Sequence, residues 1–223
     1  MGTGVVVVLI AIVAGTIFLR SGTGHAHSAA SKSSAAKSPS APSTSPGSIE
    51  PSTTVSVGAA PTDPTPDGTV LKLGQTARLS TAGSAKHWLG VTVTSVAKAP
   101  AADLANVKMS PPLGGQTPYY IHFTVTNLGA ADPYFNTDFG LYMQGLLSDS
   151  GTPNGLGDSY PKQCSGGNVP YGSWKRGAVF QFCTVTLAPA PADASGVHAT
   201  VVGAQLWDIN RADGSTHPVY WKS

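Results

Sequence analysis

At 223 residues the chain has room for one domain or two, but only the 155 positions from 69 onward carry strand-like apolar patterning. A domain of that size buries roughly 70 % of its unfolded surface, enough for one core. Net charge is +2, and within residues 69–223 the basic residues are scattered from Lys72 to Lys222 with Lys175-Arg176 as the only adjacent pair. Nucleic-acid affinity needs clustered Lys and Arg to neutralise phosphates, so a nucleic-acid partner is excluded. The single Glu of the chain is Glu50, and Ser, Thr, Gly and Pro supply the polarity of the rest. That composition suits an extracellular β protein better than a cytosolic helical one.

Residues 1–20 form the first element. Gly4 to Leu19 is a run of 16 residues without a charge. As a helix it spans about 24 Å, between the apolar region of a signal peptide and a full membrane span. The expectation is an apolar N-terminal helix that exports the chain. Retained, it anchors the protein in the cell membrane with an extracytoplasmic domain. Cleaved after the small residues near Ala26 or Ser28, it leaves a secreted protein. Lys and Arg normally precede such a segment, yet here Arg20, Lys32 and Lys37 follow it. The reading is therefore that a basic stretch lies upstream of Met1; an in-frame stop immediately before Met1, with no alternative start, would sink it.

Residues 21–68 read as a disordered Ser/Ala/Pro/Thr linker, with Ile49, Val55 and Val57 its only large aliphatic residues. Such a tract buries too little apolar surface to offset the entropy of ordering. A flexible chain of that length spans roughly 40 Å, and its prolines extend it further, so the linker holds the domain away from the membrane.

From residue 69 to 223 short runs of β-branched and aromatic residues alternate with Gly, Pro, Asn and Asp, the pattern of an all-β domain. Strands are expected near Val70 to Leu79, Leu89 to Ala97, Tyr119 to Asn127, Phe139 to Leu147, Ala178 to Leu187, Val197 to Ile209 and His217 to Trp221. About seven strands make an antiparallel β-sandwich. In the third, Tyr119, Ile121, Phe123 and Val125 share one face, which should meet the core, while Tyr120, His122, Thr124 and Thr126 share the other. Val91, Val93 and Val96 break parity, which predicts a bulge or strand end near Ser95. Asp213-Gly214 predicts a hairpin turn between the last two strands. Trp88, Trp207 and Trp221 are assigned to the core or to strand edges.

Cys164 and Cys183 are the only cysteines. Behind an export signal they read as a disulfide closing a 20-residue loop, with free thiols or half of a metal site as the alternatives. The bridge would pin the loop Ser165 to Arg176 against the strand carrying Phe180 and Phe182.

Leu71-Lys-Leu-Gly-Gln-Thr-Ala77, Gly90-Val-Thr-Val-Thr-Ser-Val96 and Tyr119-Tyr-Ile-His-Phe-Thr-Val-Thr-Asn-Leu-Gly129 resemble, in this order, the first, second and central strands of a known family. Asp138-Phe139-Gly-Leu141 and Gly177-Ala-Val-Phe-Gln-Phe182 resemble two later strands. The family is the immunoglobulin-like extracellular domain of actinobacterial and Firmicute exported proteins. The two-cysteine arrangement is similar to that of its actinobacterial members. The resemblance covers most of residues 70 to 210 and implies a seven-stranded immunoglobulin-like sandwich at the cell surface, with no catalytic residues.

The remaining chemistry is sparse. The folded part has no Glu for paired carboxylates, and no Gly-x-Ser-x-Gly elbow, Walker loop, dinucleotide fingerprint or Cys-x-x-Cys appears. Asp208 to Gly214 lacks the spacing of a calcium loop. No cofactor or metal is expected. The most suggestive residues are in and beside the disulfide loop: Tyr160, Lys162, Asn168, Tyr171, Trp174, Lys175 and Arg176. Aromatic and basic side chains on a pinned loop suit an envelope glycan or a protein partner. The alternative is that the rings pack around the disulfide and cap the sandwich. The leading reading is a non-catalytic exported binding or interaction domain; the competing one is a cell-envelope hydrolase built from scattered Ser, His and Asp.

Overall fold

The computed structural model describes residues 51–81, 87–105, 107, 114–149, 153–155, 161, 163–164, 166–190, 200–207 and 218–223. The apolar segment Val5 to Leu19, the Asp213-Gly214 turn, Tyr160 and Lys162 lie outside them. Among the described residues ten strands run in chain order: β1 (Thr53–Thr54), β2 (Val70–Lys72), β3 (Thr76–Ser80), β4 (Trp88–Lys98), β5 (Thr117–Asn127), β6 (Met143–Leu147), β7 (Asn154–Gly155), β8 (Ala178–Ala188), β9 (Val201–Leu206) and β10 (Val219–Lys222). Two short 3₁₀ turns, η1 (Ala101–Leu104) and η2 (Phe139–Leu141), interrupt them. Among the described residues no helix is long and apolar enough to cross a membrane.

The strands form two sheets. One has the order β1-β8-β5-β4-β3 with β7 also on β8; the other has the order β2-β10-β9-β6. Pairing is antiparallel throughout except for β2 with β10. The expectation of an all-β, two-sheet fold holds. The strand order differs from that of an immunoglobulin constant domain, whose second and third strands lie in opposite sheets. Here β4 and β5 are neighbours in one sheet, with register from Leu89 opposite Asn127 to Lys98 opposite Tyr119.

The periodicity of β5 reads as predicted except at Tyr119, expected on the core face but only half-buried. Ile121, Phe123 and Val125 are buried, and Tyr120, His122, Thr124 and Thr126 on the other face are half-buried. The register shift of β4 falls between Val93 and Ser95, where parity broke in the sequence. Two expected strands are shorter than their apolar runs. Val70 to Leu79 splits at Gly74, whose φ of +85° is open to glycine but strained for other residues. Gln75 N closes that turn on Lys72 O at 3.0 Å, so β2 joins the smaller sheet and β3 the larger. Phe139 to Leu147 begins instead as η2, because Asp138 Oδ1 accepts from Gly140 N at 2.8 Å and turns the chain before β6.

Between the sheets lie Leu89, Val91, Val93, Phe123, Val125, Phe139, Phe180, Phe182, Trp174 and Trp221, all buried. Phe123 and Phe182 stack at 5.3 Å, and the Trp221 indole donates to Gln75 O at 2.9 Å. Trp88 is buried as well, whereas Trp207, just past β9, is 38 % exposed. A second apolar cluster sits on the outer face of the larger sheet. There Cys183, Val185 and Leu187 of β8 are covered by Leu104 of η1 and by Cys164. The Cys164–Cys183 disulfide is formed. η1, between β4 and β5, thus forms part of a lid over this cluster, and Ala99 N donates to Pro118 O at 2.9 Å.

The expected linker boundary at residue 68 is corrected. Residues 51–58 lie along the sheet edge: Thr53 and Thr54 pair with Val179 and Ala178, and Val55 N donates to Gly177 O at 2.8 Å. Thr65 N donates to Arg78 O, and Gly68 N to Pro218 O. Composition does not mark these residues, because a strand added at an edge is held by main-chain groups and needs no apolar side chains.

Candidate functional site

The described part of the loop between the cysteines runs beside the segment after β5, and two turns meet there. In the first, Asp132-Pro133-Tyr134-Phe135, Phe135 N donates to Asp132 O at 3.4 Å and Tyr134 N to Asp132 Oδ1 at 2.8 Å. Pro133 pre-sets the backbone at the second position and Asp132 supplies the side-chain acceptor, the usual chemistry of such a turn. In the second, Pro170-Tyr171-Gly172-Ser173, Ser173 donates to Pro170 O through both N (3.2 Å) and Oγ (2.6 Å). Gly172 takes a φ of +77°, as the third position of a type II turn requires. Gly172 N then donates to Pro133 O at 2.8 Å and locks the two turns together.

Both turns rise from one buried frame. Asn127, the last residue of β5, is fully buried, and its side chain is hydrogen-bonded on both sides. Nδ2 donates to Ala130 O (3.0 Å) and Trp174 O (3.3 Å), and Oδ1 accepts from Gly129 N (2.8 Å). Asp132 N donates to Trp174 O at 3.0 Å. The Trp174 ring, 1 % exposed, stacks on Phe135 at 4.3 Å and on Phe180 at 5.5 Å. His87 covers the outer side of Phe135 at 4.7 Å and pairs with Asp132 through Nε2 and Oδ2 at 3.3 Å.

On this frame Tyr134 and Tyr171 stand out at 83 % and 70 % exposure, the two most exposed large hydrophobic residues described. The turns hold their main chains, so each ring has little backbone freedom to lose when a partner covers it. Rigid, amphipathic tyrosines on fixed loops are what dominates recognition surfaces: large contact area with two side-chain torsions to freeze.

The other sequence-predicted residues separate. Asn168 is exposed and bridges to Asp138, which brings the cysteine loop alongside η2. Lys175 is exposed beside the second turn. Trp174 is corrected from surface to core, because its ring completes the stack between Phe135 and Phe180 rather than packing around the disulfide. Arg176 is spent on the protein itself: its guanidinium donates to Leu128 O (3.1 Å), Gly129 O (3.3 Å) and Gly58 O. Tyr134 was missed; it shares the dipeptide Pro-Tyr with Tyr171, but so does Tyr119 inside β5, so the dipeptide alone does not single out the two turns.

Of the residues a hydrolase would draw on, the His87–Asp132 pair is an oriented base, yet among the described residues no serine hydroxyl is hydrogen-bonded to it. His122 lies on the outer face of β5, with Nε2 3.9 Å from Cys183 Sγ. Among the described residues no cluster of three or more metal-ligating side chains occurs. Nearby, Tyr120 donates to Asp103 at 2.8 Å and ties η1 to β5. Burial, then the Asp103 carboxylate, pushes the Tyr120 hydroxyl up to about 12.

No protein family matches the chain, and no curated protein matches it significantly. Among solved structures the fold is similar to the 1.5 Å crystal structure of MPT63, a secreted protein from Mycobacterium tuberculosis, with a TM-score of 0.47 and 13 % sequence identity, covering 69 % of this chain and 96 % of that one.

Proposed function

We propose that the chain is an exported, non-catalytic interaction domain of the bacterial cell envelope that binds an envelope glycan or protein through the paired Tyr134 and Tyr171 turns. The observation that carries this reading is the pair of exposed tyrosines cross-linked by Gly172 N to Pro133 O. Export rests on the apolar segment Val5 to Leu19, and the disulfide suits an oxidising compartment. The segment anchors the domain in the membrane when retained and releases it when cleaved. Kinship with the immunoglobulin-like exported domains is supported by the collinear segments Leu71–Ala77, Gly90–Val96 and Tyr119–Gly129, while the pairing of β4 with β5 in one sheet departs from the immunoglobulin order.

Co-sedimentation with purified envelope fragments tests the surface. Tyr134→Ala with Tyr171→Ala should raise the apparent Kd from the binding isotherm at least tenfold, a loss of about 1.4 kcal/mol or more. The melting temperature should stay near that of the wild type. Undiminished sedimentation of the folded double variant removes the tyrosine turns from the proposal.

A further inference from the structure

Residues 52–58 meet the larger sheet through main-chain groups almost alone. Ser52 N donates to Val179 O and Val55 N to Gly177 O, each at 2.8 Å, and Thr53 and Thr54 stand opposite Val179 and Ala178. The Arg176 guanidinium closes the far end on the Gly58 carbonyl. The segment's own side chains contribute one bond, Ser52 Oγ to Val179 O at 3.1 Å, and residues 52–56 are exposed.

The receiving surface is built independently of this segment. Arg176 is held in position by Leu128 O and Gly129 O, and Gly177 N by Asn127 O at 2.8 Å. At Gly177, with φ +79°, a Cβ would collide with the Val55 carbonyl, so glycine is needed both for the backbone conformation and for the close approach. A surface that reads N–H and C=O groups and leaves side chains free is the strand-addition mode of peptide recognition.

We infer that Arg176, Gly177 and the Ala178–Val179 edge form a binding site for an extended peptide, occupied in cis by residues 52–58 and able to take the same segment from a second copy of this chain. The cis strand is only two residues long, and pairing of that length is marginal by itself. Residues 58–60, 62 and 63 are exposed, and the next main-chain anchor is Thr65 N to Arg78 O. Residues 59–64 therefore serve as the hinge about which the segment leaves. Exchange between two copies replaces each contact with its identical counterpart, so it costs little at equilibrium and is favoured wherever copies are crowded. The inference does not depend on the tyrosine turns.

The test uses the full chain in detergent micelles and a labelled synthetic peptide of residues 51–59. Ser52→Pro with Val55→Pro removes both N–H donors and opens the site. By fluorescence anisotropy the opened variant should bind the peptide at least tenfold more tightly than the wild type, in which the cis segment competes, and adding Arg176→Gln should weaken binding at least tenfold. An opened variant that keeps its near-ultraviolet dichroism yet binds no peptide overturns the site, as does binding indifferent to Arg176→Gln. For exchange, Thr53→Cys with Val179→Cys places a cross-strand cysteine pair. Disulfide-linked dimers rising with protein concentration are expected, and monomer alone at every concentration overturns exchange in trans.

Discussion

Tyr171 and Trp174 are three positions apart on one loop and have opposite roles. Tyr171→Ala removes an exposed ring and should change stability by no more than about 0.5 kcal/mol, whereas Trp174→Ala leaves a hole in the aromatic stack and should cost roughly 3–5 kcal/mol. Trp174 Nε1 is buried without a hydrogen-bond partner among the described residues. Trp174→Phe removes that donor together with part of the ring, so chemical denaturation should place it much nearer the wild type than the alanine variant. Gly145 is a second sensitive point, because a Cβ there would sit 2.6 Å from Thr186 Cγ2 and 3.1 Å from Val201 Cγ1. Gly145→Ala should therefore destabilise by about 1–3 kcal/mol in the same measurement.

The Tyr120 hydroxyl gives a pH signature. Its folded value of about 12 lies above the ordinary 10.0, so the stability it contributes is fully present below pH 10.0 and is lost as pH rises toward about 12. In a tyrosinate absorbance titration one of the seven tyrosines should ionise late, and Asp103→Asn should bring it earlier. A late tyrosine unaffected by Asp103→Asn would assign the shift to burial alone.

Among elements, those set by side-chain periodicity were legible from the sequence. The inward set of β5 and the break in β4 were readable because alternation on a half-buried strand reports its faces directly. The course of β1 was not, since Ser52 is held by the Val179 carbonyl and Thr53 and Thr54 lie opposite Val179 and Ala178, a pairing that no local pattern announces. Nor was the switch of sheets at Gly74, where one apolar run supplies strands to two layers. The candidate surface was half legible. Tyr171 and Lys175 were found by their place on the cysteine loop; Tyr134 joins them only through a long-range hydrogen bond, and Trp174 and Arg176 were drawn inward by packing and by carbonyls distant in sequence. The lid is the element with the clearest energetic role. Cys164→Ser with Cys183→Ser frees a loop of 20 residues and should cost about 3 kcal/mol, or roughly 6–12 °C of melting temperature, together with looser cover over Val185 and Leu187.

At the scale of the whole molecule, the locked turns, the buried stack beneath them and the docked residues 52–58 adjoin one another around the end of β5 and the start of β8. The outer face of the larger sheet is divided between the covered cluster around Cys183 and a half-buried stretch with Thr92, Thr124 and Thr126. If the tyrosine end is the contact surface, a photo-crosslinking residue should report it by position. Placed singly at Tyr134, at Tyr171 and, as control, at the exposed Thr94 of β4, it should yield envelope adducts from the first two positions and not from the third. Adducts from Thr94 alone, or equally from all three, would contradict the assignment of the binding surface to the Pro-Tyr turns.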